Sequence, residues 1–434
     1  MFLDIADLLK RFTELGAERA FCKPLAENDN SKQQIYLGGS LEVVQLFPIQ
    51  DISATERGKD STYKARLDFY WVDKDFIERA NGAQLILYPQ YPEVRLSGFL
   101  RGCTRGPNES LRPTPKQFRR FNNAPDGRVL FFGITKNGKT LAYVANADSP
   151  LAKEFHYKNS QGQFSKENVF FNLPLLGRTS KNILLEKLAE IRNGGWQPSI
   201  RLSRTGEVIQ YKARNGGGFT LEALLGIVPN SRSEPDFLGW EIKAYSQSRI
   251  TLMTPEPDGG IYGLEGVKAF VRKFGALTKN DTLYFTGTHR VNNRNTKTGL
   301  TLIVRGFNPV SRLIEDVDGA VELLTDTGHC AAAWSFSNLM IGWNKKHARA
   351  AYVPYESEKI AAPAYRYFSP ALLGEGTDLT YYLAGLCEGL VIFDPGSKVM
   401  ESSPGVFKVK ARSQFRTSVN HLRRLYEEFG AVTF

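Results

Sequence analysis

Ser233-Glu-Pro-Asp236-Phe-Leu-Gly-Trp-Glu241-Ile-Lys243 sets three chemically demanding side chains in a strongly apolar run. Glu241 and Lys243 are two apart in a strand-like segment, so both leave the same face. A turn through Gly239 can bring Asp236 alongside Glu241. Two carboxylates at a strand end make a hard oxygen site suited to Mg²⁺, an ion that keeps several waters. A lysine beside such an ion can orient or help deprotonate an attacking water, while the ion offsets charge building on a phosphoryl group. This combination suits hydrolysis of a phosphodiester. The bare spacing also arises by accident, as a solvated face with an incidental ion pair. Here Phe237, Leu238, Trp240 and Ile242 would bury the strand, and buried acids and lysines need a partner or a metal.

Upstream, Gly216-Gly-Gly-Phe-Thr-Leu-Glu222-Ala-Leu-Leu-Gly226 reads as a helix whose glycines allow close backbone approach. Glu222, fourteen residues before Asp236, is either a solvent-facing helix residue or a third member of the acidic cluster. A further helix is expected over 183–196 and a closing one in FRTSVNHLRRLYEEFG, ending at Gly430. Between them lie strand-like runs: RITLMT, TLYFTGTHRV, LTLIVRGF and AAAWSFSNLMIGW. Strands mixed with helices point to α/β or α+β architecture.

The first half differs. Residues 2–16 predict a short amphipathic helix with Leu3, Ala6, Leu9 and Phe12 on its apolar face. From about 19 to 150, short β-rich segments such as LEVVQLF, ARLDFYWV and RVLFFGI alternate with turn signals at 81–82, 126–127 and 137–138. An all-β barrel or sandwich fits. Residues 156–170 are polar and aperiodic and are read as the boundary, giving domains over 1–165 and 175–434.

Length and composition agree with a globular chain of two or three domains at about 150 residues each. The 434 residues are 42% hydrophobic and 23% charged, values that exclude wholesale disorder and fibrous repeats. No apolar run reaches the ~18 residues of a membrane span. Asp4 and Asp7 interrupt the start where a secretory signal needs an apolar core, so the expectation is cytoplasmic. The four cysteines are far apart, against a zinc site or disulfide frame. Lys and Arg number 56 against 45 Asp and Glu, a formal +11, which favours a polyanionic partner. The excess is local. Residues 95–139 hold ten Lys or Arg against Glu109 and Asp126, net +8, in Gly- and Pro-rich loops suited to phosphate contacts and groove entry.

With these segments in view, residues 183 to the end resemble the MvaI/BcnI restriction endonucleases, relatives of the MutH nickase among the PD-(D/E)xK nucleases. The resemblance runs through Arg192-Asn-Gly-Gly-Trp196, the Glu222 helix, Pro235 to Lys243, Ser335-Phe336 with AAYVPYESEK, and Phe415-Arg416 beside HLRRLYEEFGAV. It implies an α/β MutH-like nuclease domain in which Asp236 and Glu241 bind Mg²⁺, Lys243 acts on the attacking water and Glu222 supports the metal site. It also implies a monomer that nicks one strand at a time at short, nearly symmetric CC(W or S)GG duplex sites. Arg416 matches a family arginine that reads guanine; its plainer reading is a phosphate contact or surface salt bridge. Where the family has another guanine-reading arginine, this chain has LVIFDPG, leaving Arg412, His289 and His421 as substitutes.

Residues 20–150 resemble, more loosely, the N-terminal effector domain of EcoRII, a B3-like DNA-binding pseudobarrel. The matches are Cys22 to Asn30 with QIYLGGSLEVVQLFP, and Arg95-Leu-Ser-Gly-Phe-Leu-Arg101-Gly. That resemblance implies a separate duplex-binding module that regulates cleavage, engages a second DNA site, and reads it with Arg95, Arg101 and Arg105, Lys23 and Asn28 being secondary candidates. The leading expectation is a Mg²⁺-dependent type II restriction endonuclease acting on double-stranded DNA, without membrane association. The alternatives are a MutH-like repair nickase and a DNA-binding regulator that does not cut.

Overall fold

The computed structural model describes residues 2–55, 61–120, 124–175, 179–213, 215–228, 236–278, 282–358, 363–403 and 406–434. Pro235 and Ser233 of the opening motif lie outside them. The backbone divides into two compact units, one drawn chiefly from residues up to Ala189 and the other chiefly from Glu190 onward. The segment 156–170, read as a boundary, stays within the first unit: it carries the end of a helix and a strand that pairs with Ala17–Ala26 through Phe171–Leu173. No helix among the described residues is long and apolar enough to cross a membrane.

The first unit is β-rich. An eleven-stranded sheet runs in the order Lys166–Glu167, Phe170–Leu173, Ala17–Ala26, Pro125–Thr135, Lys139–Ala145, Thr62–Val72, Gln84–Tyr88, Glu93–Ser97 and Gln34–Gly38, with Ile49–Thr55 and Ile77–Ala80 also on Thr62–Val72. Its pairings are antiparallel except that of Thr62–Val72 with Lys139–Ala145. Helix α1 (Ile5–Glu14) is capped by the Asp4 carboxylate, which accepts from the Asp7 N–H. Its buried stripe is Ile5, Leu8, Leu9 and Phe12. Leu3 and Ala6, expected on that stripe, are exposed, because Leu3 precedes the cap and the helix phase starts two residues later. Helix α2 (Pro150–Ser160) begins at Ser149 and joins α1 over one core containing Phe12, Phe131, Leu151 and Phe155.

The second unit combines several small sheets with helices α3 (Ser180–Asn193, which the partition crosses), α4 (Gly216–Leu224), α5 (Gly260–Phe274), α6 (Phe336–His347) and α7 (Leu379–Cys387). Its largest sheet has Arg349–Glu358 at the centre. That strand takes Glu241–Tyr245 in parallel and Ala364–Tyr367 and Ala371–Glu375 in antiparallel fashion. The remaining described sheets are antiparallel, so the unit is mixed rather than a continuous parallel α/β sheet. Two expectations change. AAAWSFSNLMIGW is not one strand: it is a strand to Ser335, whose hydroxyl accepts from the Asn338 N–H and starts α6. The closing helix is absent. Phe415–Ser418 is a strand between Arg249–Met253 and Val391–Phe393, followed by a 3₁₀ stretch over Val419–Leu425 and a strand at Glu428–Val432. The alternation of buried Phe415 and Thr417 with half-buried Arg416 and Ser418 suits that central strand, and pairing with distant strands overrides helical preference.

Candidate active site

The strand Glu241–Tyr245 is reached through a tight turn in which Leu238 has φ 47° and Gly239 φ 87°. Glycine adopts the left-handed conformation without strain, whereas Leu238 holds it against preference. The turn folds Asp236 back so that its Oδ2 accepts the Ile242 N–H at 3.0 Å. Glu241 and Lys243 share a face of the strand, and the Lys243 ammonium lies 2.9 Å from Glu241 Oε1.

Glu222 arrives from α4. The glycines at the start of that helix let it sit against tyrosines: a Cβ on Gly217 would fall 2.5 Å from the Tyr355 ring, and the Gly217 carbonyl accepts from the Tyr367 hydroxyl at 2.6 Å. Tyr355 and Tyr367 are paired across the central sheet, whose Lys243 neighbour is Tyr352. Glu241 and Lys243 are close enough to Glu222 and Asp236 to act on the titration of both acids. Burial, then the Glu241 charge, raises both Glu222 and Asp236 to about 7. Burial also acts to raise Glu241, but the charges of Lys243 and then Lys346 outweigh it and hold that carboxyl below its ordinary value.

Two neighbours of Glu241 were missed in the sequence. Lys346, at the end of α6, has its ammonium 4.0 Å from Glu241 Oε1. His347 is fully buried and stacked on Trp343 at 4.1 Å. Its Nε2 lies 3.0 Å from the Leu252 carbonyl and therefore donates, so its Nδ1 accepts from the Tyr426 hydroxyl at 3.1 Å. Tyr352 in turn donates to the Tyr426 oxygen at 2.7 Å. Burial, then Lys243, lowers His347 to about 3, which keeps the ring neutral. No fixed spacing links these residues to Glu241 in the chain.

Among the described residues no group of three or more His, Cys, Asp or Glu side chains is gathered tightly enough to enclose a metal. The residues nevertheless fit a hard divalent ion. Glu241 Oε2 is buried without a hydrogen-bond partner, and burial and then the Glu241 charge raise two further carboxyl groups, Glu222 and Asp236, an effect that a bound cation would offset. Few protein ligands completed by water is the usual manner of holding Mg²⁺.

The expected DNA-reading residues fall into different surroundings. In the first unit, Arg101 and Arg105 are exposed, the latter stacked over Phe76 at 4.0 Å. Arg95 is half-buried, paired with Glu93 at 2.5 Å and donating to Gln34. Glu109 and Asp126, already counted in the local +8, pair with Arg112 and Arg128, and two acids from outside the segment offset it further, Glu27 on Arg120 and Glu93 on Arg95. Arg128 is buried and also donates to the carbonyls of Ala26, Ser110 and Arg112, so it ties down the loop instead of facing a ligand. Lys23 is likewise internal, 2.7 Å from Asp29, which also accepts from the Ala26 and Tyr36 N–H groups. In the second unit Arg412 is exposed, while Arg416 is half-buried and donates to Asp394 at 2.8 Å, the same carboxylate that lies 3.7 Å from Arg249. His289 is a core residue, brought down to about 4 by burial and facing the Thr298 hydroxyl.

The sequence pattern of the MvaI/BcnI restriction endonuclease family matches residues 185–426, more than half of the chain and a span that contains Glu222, Asp236, Glu241, Lys243 and Lys346. No curated protein matches the chain. Among solved structures, the complex of restriction endonuclease MvaI with its cognate DNA substrate is similar at a TM-score of 0.46 and 20% identity, covering 58% of this chain and 98% of that one. MvaI in the absence of DNA gives a TM-score of 0.33 at 17% identity, covering 59% of this chain and 98% of that one.

Proposed function

Because this chain belongs to the MvaI/BcnI restriction endonuclease family and is, as such, a site-specific DNA endonuclease, we propose that Glu222, Asp236, Glu241 and Lys243 form its Mg²⁺-dependent cleavage site. The observation that carries the reading is the meeting of three acids and a lysine around Glu241, with one buried carboxylate oxygen unpartnered. Asp236 and Glu241 hold the ion, and Glu222 supports it from α4. When bound, Mg²⁺ supplies Lewis-acid stabilisation of the charge that develops on the phosphoryl oxygens. Lys243 Nζ orients the attacking water and takes part in moving its proton. The turn at Leu238 and Gly239 sets Asp236 in register with the strand.

The substrate is a short, nearly symmetric duplex site of the CC(W or S)GG type, cut by a monomer one strand at a time. Arg416, oriented by Asp394, is the candidate guanine reader, and Arg412 an adjacent contact. Support for a phosphate-tracking surface comes from the hairpin of Gly396–Ser403 with Val406–Lys410. There Lys398 stands directly opposite Lys410, and Phe407 carries Lys268 at 4.3 Å and Arg272 at 4.5 Å over its ring. Opposed like charges are unfavourable in a free sheet and suit an anionic partner. The first unit acts as the effector, a B3-like module that binds a second copy of the site through Arg101 and Arg105.

Asp236→Ala and Lys243→Ala should each reduce plasmid cleavage at least ~1000-fold, the order by which removal of central catalytic groups lowers rates. Duplex binding in Ca²⁺ should persist within a few-fold. Cleavage by either variant at the wild-type rate would overturn the site. Fixed double-strand breaks by the purified protein alone distinguish a restriction enzyme from a partner-dependent nickase.

A further inference from the structure

The two lysines at Glu241 are mounted differently. Lys243 lies within the strand, its ammonium 2.9 Å from Glu241 Oε1 and its side chain only 16% exposed. Lys346 approaches the same oxygen from α6 at 4.0 Å, with its side chain 39% exposed. Both cations therefore crowd one oxygen, and the other is bare and buried. The backbone of Lys346 is held firmly, since its neighbour His347 is locked between the Leu252 carbonyl and the Tyr426 hydroxyl and stacked on Trp343.

This arrangement poses a physical problem for Lys243. To face a water or a phosphate it must leave Oε1, and with the ion on the carboxylate that oxygen keeps a counter-charge but loses its hydrogen-bond donor, which is costly for a buried acceptor. We propose that Lys346 is a positioning residue that takes over as donor to Glu241 Oε1 when Lys243 turns toward the substrate. Its greater exposure and longer resting distance leave it room to close on Oε1, while the anchored helix end keeps it within reach. The proposal rests on the metal-site reading above. It assigns Lys346 no contact with the reacting atoms.

The test uses the full-length protein with Lys346→Gln and Lys346→Arg. Mg²⁺ binding is measured calorimetrically without DNA, duplex affinity in Ca²⁺, and single-turnover cleavage at saturating and subsaturating enzyme on a plasmid the wild type cuts. Lys346→Gln should bind Mg²⁺ several-fold more tightly, because a cation is removed from beside the ligand carboxylate. The same variant should cleave at least tenfold more slowly at saturation, with duplex affinity within twofold of wild type. Lys346→Arg should restore most of the rate. A Lys346→Gln rate within twofold of wild type overturns the proposal. A slower rate accompanied by weaker Mg²⁺ binding also overturns it, since that places Lys346 in the scaffold of the metal site. Failure of the metal-site reading itself shows separately, as wild-type protein that binds no Mg²⁺.

Discussion

Asp236 and Glu222 each carry a proton at neutral pH more readily than an ordinary carboxyl, and the reason is the same: burial beside Glu241 with too little positive charge nearby. An acid whose folded pKa exceeds its unfolded value binds protons more tightly when folded, so its contribution to stability is lost as pH rises between the two. For these residues that window runs from ~4, the unfolded range, up to about 7. Glu241 runs the other way, its contribution lost as pH falls through its lowered folded value. In chelator, thermal melts of wild type should therefore lose more stability between pH 5 and pH 8 than those of Asp236→Asn. Added Mg²⁺ should raise the wild-type midpoint more at pH 8 than at pH 5.5. Equal Mg²⁺ stabilisation at both values would contradict the electrostatic account of the site. The residue chemistry was legible early, because acid, acid and lysine lie within eight positions, Asp236 to Lys243. Lys346 and His347 were not, since α6 brings them to Glu241 from a remote part of the chain.

Helix α4 illustrates how an element turns a local pattern into a site. Its sequence predicts a helix, yet nothing in that sequence says where the helix docks. The docking surface is the tyrosine pair Tyr355 and Tyr367, and only glycine at 217 permits the approach. Gly217→Ala should force the helix or the Tyr355 ring to move, a steric strain of about 1–3 kcal/mol. We expect a lower thermal midpoint and a cleavage rate reduced about tenfold or more, as a small displacement of a catalytic group from its working geometry brings. A variant with unchanged melting and unchanged activity would show that Glu222 does not depend on that contact. The Phe415–Ser418 segment makes the converse case. Arg416 was read on a helix beside HLRRLYEEFG, but the chain there enters a sheet, because Arg249–Met253 and Val391–Phe393 offer backbone partners on both sides.

For the molecule as a whole, the proposed cleavage residues all belong to the second unit, while Arg95, Arg101 and Arg105 belong to the first. Removal of residues 1–178 should leave a folded endonuclease that still requires Asp236, with an altered response to added site-containing oligonucleotide. The check is a cleavage time course of full-length and truncated protein with increasing oligonucleotide. An identical response from both proteins would remove the effector role proposed for the first unit. The charge count over 95–139 overstated the basic surface of that unit, because acids elsewhere in the chain, such as Glu27 and Glu93, fold back onto its arginines. The core of the unit was read more accurately for ARLDFYWV and RVLFFGI, which became paired strands, whereas LEVVQLF became a 3₁₀ helix over Leu41–Leu46, started by the Ser40 hydroxyl that accepts from the Glu42 N–H.

Local chemistry, the β-rich first half, the helix at the start and the acid–acid–lysine pattern followed from the order of residues, since each depends on neighbours a few positions apart. The assembly of Glu222 with Glu241, the two lysines on one oxygen and the burial that raises Asp236 did not. They arise where α4, α6 and the central sheet meet, and desolvation and charge coupling exist only once those distant segments have excluded water together.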